Sequence, residues 1–185
     1  MFVRICLLGA LLMGALVGPA ASQDGSAAKW AQVGGWQVRV DPTFGNGCFA
    51  VQSYEDGTAI RIGIDAERKS IYIVVGNDAW QSLEAGKVYP VRFVFDGQKS
   101  YDTELLGLAH RGKVILVHSN VSAEFTTDFM ERTALRVYYR GAPIAGLSLR
   151  NTYAALAEVA KCQKEMWAAG NGNSGVRPAS DPFSR

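Results

Sequence analysis

Few side chains in this sequence are of the types that do acid–base, nucleophilic or metal chemistry, and their spacing selects no reaction. There are two histidines, His110 and His118. His110 stands in the polar turn His110, Arg111, Gly112, where it reads as a solvated turn residue. His118 ends the apolar run that begins at Val114 and reads as a satisfied strand-end histidine. A zinc site of the usual kind would need carboxylates for its other ligands, because neither HExxH nor a Cys-rich spacing occurs. The expectation is no metal and no cofactor. There is no GxSxG elbow and no phosphate-cradling GxxxxGK[ST] loop. A dispersed Ser, His and Asp triad would have to take one of the two histidines as its base. Asp65, Asp96, Asp102, Glu124 and Asp128 could approach one another in the fold and cleave a glycosidic bond as a pair. Nothing in their spacing picks out two of them, and such residues mostly cap turns or face water, so no catalytic residue is assigned.

The cysteines point to structure rather than reactivity. Cys6 lies inside the apolar run Ile5 to Val17, which follows Met1 and Arg4 and is broken by Gly18 and Pro19. That pattern, closed by the small residues Ala20, Ala21 and Ser22, reads as a secretory signal over residues 1 to 22, too short for a comfortable membrane span. Its removal leaves Cys48 and Cys162 as the intramolecular pair, and a disulfide is expected in an oxidising compartment. Loss of Arg4 lowers the formal net charge from +2 to +1. A nearly neutral chain has no broad basic field for nucleic acid or anionic lipid. Neither nucleic acid nor a stable membrane span after cleavage is therefore expected.

The rest of the chain has the length and the 48% hydrophobic, 19% charged composition of one globular domain. Residues 23 to 29 are small and polar and read as a flexible lead-in; residues 30 to 168 form the domain; the Gly-, Ser- and Pro-rich residues 169 to 185 read as a disordered tail. Within the domain, period-two alternation marks strands at Trp36 to Val40, Ile60 to Ile64, Ile71 to Val75 and Tyr89 to Phe95. Cys48 to Ser53, Tyr101 to Leu108, Leu135 to Tyr139 and Pro143 to Leu149 read as further strands, and Val114 to His118 is apolar enough to be buried on both faces. Pro90 argues for a strand edge or the start of a paired region. Asp96 and Gly97 are a hairpin signal.

Two helices are expected. Phe125 and Phe129 lie four apart after Ser122, a fair N-cap, and mark a short crossover helix. From Asn151 onward, Thr152, Ala155, Leu156, Val159, Cys162 and Met166 share one side of a wheel, with Glu158, Lys161, Lys164 and Glu165 opposite. Cys162 thus points inward, where Cys48 could meet it. With no long crossover helices between successive strands, the fold class is mainly β: an antiparallel sandwich or partly open barrel with the C-terminal helix packed on it.

The opening Trp36 to Val40 strand, the cysteine soon after it at Cys48, and the close LSLRNTYAALAEVAKC resemble small secreted proteins of Gram-negative, chiefly alphaproteobacterial, bacteria. The ending is also similar to that of invasion-associated locus B type proteins, although Asn151 stands where a glycine is frequent. The resemblance implies a periplasmic or exported all-β protein and carries over no catalytic residue.

The functional expectation is a non-enzymatic binding protein with an unknown protein or glycan partner in the cell envelope. Its candidate surface is an exposed strip made by Arg61, Tyr72, Arg136 and Tyr138, which oppose the inward rows of their strands. Two other readings stand beside it. One is an inhibitor that plugs a secreted hydrolase with a projecting loop, Phe44 to Gly47 or His110 to Lys113. The other is a carbohydrate hydrolase using paired carboxylates.

Overall fold

A computed structural model describes residues 27–172. The signal segment and most of the C-terminal tail lie outside the described residues, as does most of the lead-in. The elements in chain order are β1 (Ala28–Val33), β2 (Trp36–Asp41), a short 3-10 turn (Pro42–Phe44), β3 (Gly47–Ser53), β4 (Thr58–Asp65), β5 (Ser70–Asn77), β6 (Val88–Phe95), β7 (Lys99–His110), β8 (Lys113–Ser119), α1 (Ala123–Glu131), β9 (Ala134–Tyr139), β10 (Ala142–Ser148) and α2 (Thr152–Gly172).

The ten strands make a single antiparallel sheet in the order β1-β2-β3-β4-β5-β8-β7-β6-β9-β10. Of the two architectures expected, the partly open barrel therefore describes it and the sandwich does not. The sheet curls until its ends approach: the Trp36 indole of β2 donates to the Arg150 carbonyl just beyond β10, and the Tyr54 hydroxyl donates to Ser148. It stays open, since β1 and β10 do not pair.

Alternation decides which side chains fill the interior. Val38, Ala50, Ile62 and Ile73 are successive cross-strand partners from β2 to β5, and all are buried. Phe93 of β6 and Val137 of β9 continue the lining on the far side. Helix α1 drops Phe125 and Phe129 into this interior. There Phe125 meets Phe93, Phe95 and Tyr101 edge to face, and Phe129 meets Trp36, a geometry favoured by the ring quadrupoles. Ser122 caps the helix through the Phe125 amide.

Helix α2 closes the open end against β1, β2, β3 and α1. The wheel read from the sequence holds: Thr152, Ala155, Val159 and Cys162 are buried, Leu156 and Met166 half-buried. Gln163 joins them, because its amide oxygen accepts the Cys48 backbone N–H at 2.8 Å. The Cys48 and Cys162 sulfurs lie at bonding distance, with Cα atoms 6.1 Å apart. Asn151 adopts φ 65, the left-handed region where glycine is at ease and Asn is tolerated. It therefore turns the chain into α2 rather than capping the helix from an extended conformation.

Three local expectations shift, and that for Pro90 holds in the form of the start of a paired region on the β9 side. β1 begins at Ala28, inside the expected lead-in, because Trp36 to Val40 needs a partner on its outer edge. α2 continues to Gly172, past the expected tail boundary. Pro90 sits in an interior strand. Its ladder to β9 starts one residue later, at Val91, so the missing N–H falls where pairing begins. β8 buries only Leu116 fully, and its other face, Ile115 and Val117, is half-buried.

Candidate functional site

The outer face of the sheet carries two separate groups of the expected surface residues. Arg61 of β4 and Tyr72 of β5 lie on one sector. Arg136 and Tyr138 of β9 lie on another, with β8, β7 and β6 between. The structure does not bring them together into one strip.

The first pair is not exposed. Tyr72 is 2% exposed, which overturns its expected place in an open aromatic strip. The cause is local. The 3-10 turn after β2 folds Phe44 back over the sheet, where it stacks on Tyr72 with centroids 5.1 Å apart. Beneath them, Gly63 leaves the space that a side chain would take. A Cβ there would lie 2.5 Å from that of Phe49 and 2.6 Å from the Tyr72 hydroxyl. Arg61 threads this gap. Its guanidinium lies 3.5 Å from the Phe49 ring centre, donates to the Tyr72 hydroxyl at 2.7 Å and pairs with Asp41 at 2.6 Å, a stacked and hydrogen-bonded setting that suits arginine better than lysine. Burial pushes the Tyr72 phenol up to about 12 against the opposing pull of Arg61. This is a closed cluster, and the loop expected to project as a plug is part of its cover.

Beside the cluster the outer face is mostly apolar and, among the described residues, uncovered. Val51, Arg61, Val74, Val117, Leu106 and Val88 are successive cross-strand partners from β3 to β6. Ile115 and Leu108 pair in the next row. Small residues Ala59 and Gly76 continue the row of Ile115 and Leu108 and lower the floor there, and with Val51, Val74 and Val117 these residues line a trough of about 570 Å³. Its walls are the Phe44, Phe49 and Arg61 cluster and Arg39 at one end, and His110 with Arg111 at the other. Leu106, Leu108 and Val88 are 44%, 41% and 49% exposed, high values for apolar residues on adjacent strands. The sequence signal for this surface was present in β8, where apolar residues occupy both parities. That pattern predicts double burial, whereas among the described residues no element covers the outer side.

Of the second pair, Tyr138 lines a depression on β6, β7 and β9 with Pro90, Val94 and the bidentate Arg92–Asp102 ion pair at 2.7 and 2.8 Å, and Arg136 lies outside it. Arg136 is exposed and Tyr138 half-buried.

The acids considered for catalysis are each engaged separately. Asp65 pairs with Arg68 at 2.8 Å, Asp102 with Arg92, and Glu124 with Lys99 at 2.6 Å. Asp96 accepts the Thr133 and Ala134 backbone N–H groups. Asp128 accepts from the Tyr101 hydroxyl and from Arg132. Burial alone would raise the Asp65 carboxyl, but Arg68 and the neighbouring backbone donors hold it below the ordinary carboxylate range. The Tyr101 hydrogen bond and Arg132 do the same for Asp128, and Arg92 for Asp102. A glycosidase pair needs one acid pushed the other way, and these three all move down. His118 bonds the Glu104 carbonyl and the Thr103 hydroxyl where β7 and β8 diverge. His110 sits in the β7–β8 turn, made with Arg111 at φ 48 and Gly112 at φ 78. Among the described residues there is no group of three His, Cys, Asp or Glu placed to hold a metal ion, and no helix is long and apolar enough to cross a membrane.

The sequence matches no protein-family model and no curated protein. The fold is similar to the crystal structure of invasion associated protein B from Bartonella henselae, with a TM-score of 0.53 and 14% identity over 72% of this chain and 97% of that one. This weak likeness agrees with the resemblance of the chain's ending and concerns the fold.

Proposed function

We propose that this chain is a non-enzymatic binding protein of the bacterial cell envelope, exported by its N-terminal segment, which recognises its ligand through the outer-face trough. The observation that carries the reading is the apolar surface beside Arg61 on the solvent side of the sheet, where Val51, Val74, Val117, Ile115 and Leu108 line the trough and Leu106 and Val88 extend the apolar face next to it. Contiguous apolar surface with a polar rim is uncommon on soluble monomers unless something binds there. The neighbouring Arg61–Tyr72 cluster gives the trough a rigid wall, so the surface is formed before the ligand arrives. The signal-like N-terminus and the Cys48–Cys162 pair support export to an oxidising compartment.

A photoreactive amino acid at Val74, compared with one at Tyr138, tests this reading. In a periplasmic extract the Val74 probe should label a ligand in a saturable way, and Val117→Glu should abolish that labelling while leaving the melting temperature within a few degrees. Equal labelling from both positions would show general surface stickiness and end the reading.

A further inference from the structure

The trough is apolar along its floor but not neutral at its end. Arg39 of β2 lines it, half-buried, and its guanidinium is held by neutral partners: Nε and Nη2 donate to Gln37 Oε1 at 3.1 and 2.8 Å, and Nη1 donates to the Ala27 carbonyl at 3.4 Å. One donor on each terminal nitrogen remains. Among the described residues neither Arg39 nor the exposed Arg111 of the far end forms an ion pair, whereas nearby Arg61 is neutralised by Asp41; Arg39 differs from Arg111 in being half-buried and held in place by the hydrogen bonds above. A guanidinium fixed by neutral acceptors, with no acidic partner and a donor left on each terminal nitrogen, can receive a carboxylate. The trough size falls in the range of small-ligand sites, which combine an apolar lining with a few placed polar groups.

We propose that the trough binds a single-chain fatty-acid anion, with its carboxylate on Arg39 and its acyl chain laid over Val51, Val74 and Val117 towards Leu106 and Leu108. The inference rests on the reading of this face as the recognition surface and adds the ligand's chemistry. A glycan would leave the valine and leucine floor facing hydroxyl groups, and a neutral chain would leave Arg39 unpaired. His110 and Arg111 border the far end.

The experiment is isothermal titration of the exported chain with decanoate below its micellar concentration, with octanoate and dodecanoate for chain length and decyl maltoside for charge. One site is expected, tightening about two- to fourfold per added methylene, because one side of the chain stays wet. Decyl maltoside should bind at least about tenfold more weakly, and Arg39→Gln should weaken decanoate by about tenfold. Val117→Glu should abolish binding, and Tyr138→Ala on the separate sector should leave it unchanged. A thermal melt of each variant verifies that it is folded. Absence of a saturable site, equal affinity for decyl maltoside, or an Arg39→Gln protein that binds as before would overturn the proposal. If decanoate fails while the Val74 probe still labels a protein saturably, the fatty-acid anion is wrong and the recognition face stands. If both fail, both are wrong.

Discussion

Arg61 with Tyr72 and Arg136 with Tyr138 are chemically the same pair placed on the same outer face, yet one is sealed and the other open. In the first, Phe44 covers the tyrosine ring, Phe49 lies under the guanidinium, and Asp41 takes its charge. In the second, no turn among the described residues folds back over β9, and Arg136 is left exposed. The difference lies in what the neighbouring non-repeating segments contribute. Strand parity chooses a face of the sheet, but a 3-10 turn at the end of β2 and a glycine at position 63 decide whether that face meets water. Arg61 of the sealed pair then serves the trough as a wall, and Tyr138 of the open pair borders a separate depression.

The strongest way to break this contrast is through the disulfide, because Cys48 precedes Phe49 on β3, the strand under Arg61. Cys48→Ser with Cys162→Ser opens a sequence separation of 114 residues and should cost about 4–5 kcal/mol in the chain-entropy account. Urea unfolding measures that loss. Hydrogen exchange should localise it, with protection falling across β2 to β4 and holding at β9 and β10. Equal loosening of both sectors would mean that the sealed cluster does not depend on the tie from β3 to α2.

A smaller effect separates the two tyrosines directly. Tyr72→Ala removes a buried ring that packs on Phe44 and accepts from Arg61, and should destabilise by about 3 kcal/mol. Tyr138→Ala should cost under about 1 kcal/mol, the range of half-open surface positions. Comparable costs would show that the apparent cover on Tyr72 contributes nothing.

Much of the fold was legible because its signals are periodic. Alternation placed Ile60, Ile62, Ile71 and Ile73 inward, and the 3.6-residue period placed Ala155, Val159 and Cys162 on the buried side of α2. The left-handed turn at Asp96–Gly97 follows from a glycine and a tolerant aspartate, and Gly141 supplies the second left-handed position after Arg140. β1 was harder to see, since Ala28, Ala31 and Gln32 alternate weakly and a register shift interrupts its pairing. The candidate site was legible only in part. Arg61 and Tyr72 were rightly put on the outer face, but the fold-back of Phe44 is a tertiary contact with no period to announce it. The trough depends on which strands become neighbours: β8 inserts between β5 and β7, so Val74, Val117 and Leu106 meet only after the topology is set.

The sealed pair also leaves a titration signature that sharpens the contrast. Burial raises the Tyr72 phenol to about 12 in the folded chain, while an unfolded tyrosine ionises near about 10. The folded state therefore keeps a proton that the unfolded state releases across that interval. Its stabilising contribution is complete below pH about 10 and is lost as pH rises towards 12, amounting to about 2–3 kcal/mol. Tyr54 and Tyr101 are also raised, chiefly by burial, so the alkaline limb of the intact protein has several contributors. The difference between the intact chain and Tyr72→Phe isolates one of them. Phenylalanine keeps the stack on Phe44 but cannot ionise, so the variant should lose less stability between pH 10 and 12, measured by urea unfolding at each pH. Parallel curves would place Tyr72 in contact with water and open the patch that the packing of Phe44 closes.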